Sequence, residues 1–303
     1  MIAVDTVKMN LEVRVTPVSD VDRAKQFYQQ LGWRLDEDVT PMAGLRLVQF
    51  TPPGSNVSVT FGQGVTPAAP GSALAALTVA DIEAAHRDLI GRGIAALDVW
   101  HGAPLPPEAR LAGADPGRAS YGSFTSFEDP DGNTYLVQEV TTRHPGRAEV
   151  RGALASAASG QVGMNLEVCV IPVSDVDRAK QFYQRLGWRF DDDVAPMDGL
   201  RIVQFTPPGS AASITFGLGL TTAAPGSALG GLVVADIEAA HKDLTSRGID
   251  ASDIWHGPPF PAEARQPGPD PERTSYGSFF SVTDPDGNTW LVQEVTTRLP
   301  GRI

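Results

Sequence analysis

The segment MNLEVRVTPVSDVDRAKQFYQQLGW, starting at Met9, returns as MNLEVCVIPVSDVDRAKQFYQRLGW at Met164, an offset of 155 residues. The offset holds without a gap through Trp100/Trp255, Tyr121/Tyr276, Asp129/Asp284 and Arg143/Arg298. Its period is far longer than the roughly 20–50 residues of solenoid or propeller units, so whole domains are repeated side by side. Residues 9–147 form the first expected domain and 164–302 the second. Between them, 148–163 is rich in Ala, Gly and Ser and lacks hydrophobic periodicity, as a linker does. Hydrophobic residues make up 42% and charged residues 20%, ordinary usage for folded protein.

Within one copy, Leu11 to Thr16 alternate apolar with polar residues, the period-2 pattern of a half-buried strand that Pro17 ends. Ser19 and Asp22 resemble a capping box, after which Val21, Ala24, Phe27, Tyr28 and Leu31 recur at helical spacing before Gly32. Strands are predicted at Leu45–Phe50, Val57–Gly62 and Leu74–Val79, and a second helix from Asp81 to Gly93. Further strands fit IAALDVW (from Ile94), YGSFTSF (from Tyr121) and TYLVQEV (from Thr134), the last two joined by the turn sequence DPDGN. Each copy therefore reads as βαβββ twice, an α+β domain.

A net charge of −12 opposes binding to nucleic acid or anionic membrane, which leaves a small molecule as the expected partner. No run of roughly 18 apolar residues is present. The start, MIAVDTVKMN, lacks the basic-then-apolar layout of a signal peptide, so a cytoplasmic location is expected. Cys169 is the single cysteine, which excludes an intrachain disulfide, and its counterpart Arg14 argues against a shared catalytic thiol. Nucleophile elbows, Walker loops, dinucleotide-binding glycines and HExxH are all absent.

A strand followed by VSDVDRAxxFYxxLGW, with FxDPDGN about a hundred residues later before a final strand, resembles the vicinal-oxygen-chelate superfamily of glyoxalases, bleomycin-resistance proteins and dioxygenases. The resemblance covers both copies. It implies two tandem domains, each a pair of βαβββ modules curled into a cup-shaped half-barrel, and an intrachain pseudo-dimer in place of the homodimer that single-domain relatives form. Metal-binding relatives take ligands from four strands. Carried onto this sequence, the first place is Val13 by direct counting, or Glu12 if Pro17 is a one-residue bulge, and Glu12 is preferred. The other places are Ser58, Leu74 and Leu136, with Glu167, Ser213, Leu229 and Leu291 in the second copy. Two leucines and a serine beside one carboxylate cannot hold a hard divalent cation. The expectation is a metal-independent pocket without cofactor, a divalent metal being the alternative.

The catalytic candidates are Glu12/Glu167, as carboxylates inside the cup, and His101/His256, at the mouth of a Pro-rich stretch. Leu11, Val13 and Val15 are assigned to the helix side of the first strand, which puts Glu12, Arg14 and Thr16 on the ligand side, with Cys169 and Ile171 as counterparts. On that basis the first cup is the more polar. Tyr121/Tyr276 and Gln138/Gln293 are further ligand contacts, and Arg110/Arg265 lies in the Pro-rich stretch. Trp100/Trp255 and Phe124/Phe279 read chiefly as core. The expected function is sequestration of a small apolar or aromatic molecule, or acid–base chemistry of a lyase or isomerase on it; the alternative is a metal-dependent lyase, isomerase or ring-cleaving dioxygenase.

Overall fold

The computed structural model describes residues 7–102, 107–143, 162–258 and 262–298; most of the expected linker 148–163 lies outside the described residues. In the first repeat the elements are β1 (Asn10–Val15), α1 (Val21–Gln30), β2 (Arg34–Met42), β3 (Leu45–Thr51), β4 (Ser58–Phe61), β5 (Leu74–Val79), α2 (Ile82–Gly91), β6 (Trp100–Gly102), β7 (Arg110–Ala112), β8 (Ser123–Glu128) and β9 (Thr134–Glu139). The second repeat follows with β10 (Asn165–Val170), α3 (Val176–Arg185), β11 (Arg189–Met197), β12 (Leu200–Thr206), β13 (Ser213–Leu218), β14 (Leu229–Val234), α4 (Ile237–Ser246), β15 (Trp255–His256), β16 (Gln266–Pro267), β17 (Ser278–Thr283) and β18 (Thr289–Glu294). The α+β class and the paired βαβββ modules are as expected.

The chain divides into two compact units. One joins the segment ending at Arg14 to the second repeat from Ile171 onward, and the other runs Val15–Val170. In the first unit β1 pairs antiparallel with β14, which pairs in parallel with β18. In the second unit β10 pairs antiparallel with β5, which pairs in parallel with β9. Strand pairing thus runs across the repeats: the first strand of each copy extends the later strands of the other.

Two local expectations are corrected, and one strand is added that the sequence pattern did not predict. Asp20, not Ser19, caps α1, accepting from the backbone N–H groups of Asp22 and Arg23 at 3.0 Å each. Ser19 instead binds the carboxylate of Asp131 in the DPDGN turn through both its hydroxyl and its N–H. Strand β2 has no amphipathic signature because both its faces are largely exposed. It is held by ion pairs, with Asp38 bound to Lys25 at 2.7 Å and to Arg46 at 2.9 Å. The segment Ile94–Trp100 is not a full strand: Ala96 makes an isolated bridge to Phe127 and regular pairing starts at Trp100.

Beneath α1, Tyr28 stacks on Phe61 at 5.1 Å, and its hydroxyl bonds to Tyr135 at 2.8 Å and Asp129 at 3.1 Å. Asp129 opens the turn and is buried there. It also accepts from the N–H groups of Asp131 and Asn133 and from the Asn133 amide at 2.7 Å. Burial pushes its carboxyl above the ordinary range, partly opposed by the Asn133 hydrogen bonds.

The repeats differ in one coupled place of this core. Ala75 lies beside Tyr135 in the second unit, where the first has Gly230 beside Trp290. A Cβ on Gly230 would stand 2.5 Å from Cζ3 of Trp290. Gly230→Ala is therefore expected to cost about 1–3 kcal/mol by overpacking, and most of this is regained when Trp290→Tyr is added. Denaturant titration of the two single variants and the double variant measures the coupling; additive costs would rule out the indole as the obstacle.

Candidate functional site

In the second unit, Ala75, Leu77 and Val79 of β5 and Tyr135, Val137 and Glu139 of β9 form one fully buried face. Helix α2 covers it, since Glu139 accepts from the N–H of Ile82 at the helix start and pairs with Arg118. The opposite face carries Leu74, Ala76 and Thr78 of β5, Leu136 and Gln138 of β9, and Phe124 and Ser126 of β8. Leu74, Ala76, Leu136, Gln138 and Ser126 are half-buried there, which is the exposure expected of a binding floor. In the first unit the same face carries Leu229, Gly231, Val233, Leu291, Gln293, Phe279 and Ser281.

The strand that adjoins each floor contains a bulge at its glutamate. Leu166 pairs with Leu77 and Val168 with Ala76, so Glu167 is the inserted residue; Glu12 is inserted in the same way between Leu11 and Val13. Glu167 faces the floor, since the Thr78 hydroxyl donates to its Oε2 at 3.1 Å. The bulge also reverses the alternation beyond it. Cys169 pairs with Ala75 and Arg14 with Gly230, which puts both on the helix-covered face, where they are buried. Thr16 and Ile171 share that parity and are also buried. The expectation that Arg14, Thr16, Cys169 and Ile171 share a face with the glutamates is therefore corrected. A polarity difference between cups that rests on them loses its basis.

Glu167, 1% exposed, is paired with Arg143 at 3.0 Å, and Glu12, 3% exposed, with Arg298 at 2.8 Å. Sequence reasoning missed these arginines because they follow the last strand of their repeat; the signal available was the pair TTRHPG and TTRLPG. The structure brings Glu167 together with Leu74 and Leu136 of the other repeat, and Glu12 with Leu229 and Leu291. Ser58 stays on β4 with its hydroxyl bound to Thr51 at 2.7 Å, and Ser213 is bound to Thr206 in the same way.

At the far side of each floor, Trp100 stacks on Phe124 with centroids 5.9 Å apart, and the Arg110 guanidinium lies 4.1 Å above the indole. Trp255, Phe279 and Arg265 repeat this ladder at 6.0 and 4.2 Å. His101 alternates away from Trp100, pairs across from Ser123, and donates from Nδ1 to the Gly113 carbonyl at 2.9 Å; His256 does the same to Gly268 at 3.0 Å. Gln138 spends an amide N–H on the Tyr121 carbonyl at 3.0 Å, as Gln293 does on Tyr276. Both tyrosines lie in the left-handed region, at φ 69° and 71°, where a bulky residue is strained, and their N–H groups donate to the carbonyls of Glu139 and Glu294 at 2.8 Å.

The residues at the four assigned places are a poor donor set for a hard divalent cation. Each floor offers one carboxylate, already engaged by a guanidinium, with leucines at the two assigned places on the floor strands and, at the serine places, hydroxyls already bound to threonines. Among the described residues no group of three or more His, Cys, Asp or Glu is arranged to hold a metal ion.

The family model "Glyoxalase/Bleomycin resistance protein/Dioxygenase superfamily" matches residues 13–136 and 165–292. The crystal structure of glyoxalase I from Zea mays is similar at 15% identity, covering 94% of this chain and 92% of that one with a TM-score of 0.59, a likeness of fold alone. An antibiotic binding protein from Streptomyces sp. CB03234 shares 27% identity over 43% of this chain and 93% of its own, with a TM-score of 0.33. A superfamily member from Sphaerobacter thermophilus shares 27% over 42% and 94%, also at 0.33. No curated protein matches the chain significantly. Among the described residues no helix is long and apolar enough to cross a membrane.

Proposed function

The chain belongs to the Glyoxalase/Bleomycin resistance protein/Dioxygenase superfamily, and from that premise we propose that it binds a small, flat, apolar or aromatic molecule on the floor of each unit without a metal ion. The observation that carries this reading is the half-buried strip Leu74, Ala76 and Leu136, repeated as Leu229, Gly231 and Leu291, between an Arg–Trp–Phe ladder and a buried Glu–Arg pair. Sequestration is favoured over proton transfer. Glu12 and Glu167 are engaged by arginines, and His101 and His256 alternate to the other face, so among the described residues no acid–base pair converges on either floor.

Metal analysis of the full chain purified without chelator is expected to find far less than one ion per site. Stoichiometric nickel, zinc, manganese or iron that is lost with Glu12→Ala would overturn the reading in favour of a metal-dependent enzyme. Binding is tested with quinoline as a flat apolar probe. Leu136→Glu combined with Leu291→Glu places a carboxylate in each floor and is expected to weaken quinoline by about tenfold or more, while each half-buried substitution costs only about 1 kcal/mol of stability. Undiminished binding by the double variant would show that these floors are not the site.

A further inference from the structure

Beside Glu167 the second unit holds polar groups that its own fold leaves unused. Asn165 is 1% exposed, yet among the described residues neither its amide nitrogen nor its amide oxygen has a hydrogen-bond partner. It stands opposite Thr78, on the floor face. Arg143 gives one terminal nitrogen to Glu167 at 3.0 Å, and its other terminal nitrogen, Nη1, is buried without a hydrogen-bond partner among the described residues. Such groups are costly to bury, so three of them beside one carboxylate point to a partner that arrives from outside. The first unit lacks this set: Asn10 is half-buried, Val233 stands in place of Thr78, and Arg298 is 32% exposed.

We propose that the second unit recognises a cis-amide edge, as in a lactam or a primary carboxamide, at the Glu167 end of its floor. The inference rests on the flat-ligand reading of that floor and adds the polar head. Asn165 matches such an edge reciprocally. Its amide nitrogen donates to the ligand carbonyl, its amide oxygen accepts from the ligand N–H, and Arg143 Nη1 supplies a second donor to the same carbonyl. A bare carboxylate leaves the Asn165 oxygen without a donor, and an apolar ring leaves all three groups unmade. One such subsite per chain follows from the differences at Asn10, Val233 and Arg298.

The test uses the full chain with 2-quinolone, which is flat and carries the edge, against N-methyl-2-quinolone, which lacks the N–H, and quinoline. 2-Quinolone is expected to bind at least about tenfold more tightly than either control at one site per chain, and Asn165→Leu to remove that advantage while Asn10→Leu keeps it. Asn165→Leu also deletes two unmade groups, so without ligand its melting temperature is expected to hold or rise. A fall in melting temperature would show that internal water satisfies the amide and would overturn the proposal. So would a 2-quinolone affinity that Asn165→Leu leaves within about twofold. Quinoline binding with no 2-quinolone advantage overturns the amide edge alone, whereas loss of quinoline binding in the wild-type chain counts against the floor itself.

Discussion

Glu167→Ala is expected to destabilise the chain by about 3–5 kcal/mol, the cost of stranding a cation inside the protein. Arg143, with its side chain only 11% exposed, has Glu167 as its ion-pair partner, and Thr78 donates to the same carboxylate. Glu12→Ala is expected to cost clearly less, about 1–2 kcal/mol, because Arg298 is 32% exposed and can turn to water. Denaturant unfolding of the two variants makes the comparison, and equal losses would show that burial of the arginine does not govern the cost. Pairing Glu167→Leu with Arg143→Met is expected to restore most of the stability, since an apolar pair needs no solvation.

Asp129→Ala is expected to cost about 3–5 kcal/mol, because it strands several buried donors at once. The carboxylate accepts from the Tyr28 hydroxyl, the Asn133 side chain and two backbone N–H groups, tying α1 to the β8–β9 turn. Asp129→Asn keeps an acceptor and is expected to cost less. Its pH dependence has a definite sign. The folded carboxyl is raised above its unfolded value, so its linkage stabilises the wild type below the ordinary carboxylate pKa of about 3.9, and that contribution is lost as pH rises through the folded value. The gap between wild type and Asp129→Asn is therefore expected to be wider in acid than at neutral pH. A gap that narrows on acidification would contradict burial as the leading influence on this carboxyl.

Acid sensitivity comes from other groups. Asp38 and Asp193 are held well below the ordinary range, chiefly by Arg46 and Arg201 and then by Lys25 and Lys180. Their contribution is present above the unfolded pKa and is lost as pH falls toward the folded values. Both sit on strands whose charge-rich sequence hid them from pattern reading, and the cross-strand arginines became visible only once β2 and β3 were paired.

Much of the fold was legible in the sequence because local physics sets it. The 155-residue repeat gave the duplication, the 3.6-residue period gave α1 and α2, and the turn chemistry of DPDGN placed the hairpin before the last strand. Parity along β9 likewise put Leu136 and Gln138 on one face and Glu139 on the other, where it does serve the helix start. Tertiary structure decided the rest. Which repeat supplies the floor beside Glu12 depends on pairing between segments more than 200 residues apart, and no local period encodes that choice. The bulge at Glu12 and Glu167 inserts one residue into a period of two, so Arg14 and Cys169 turn to the helix-covered face against every expectation from simple alternation. The arginines that meet the glutamates arrive from beyond the final strand, and only the folded chain brings them to the carboxylates.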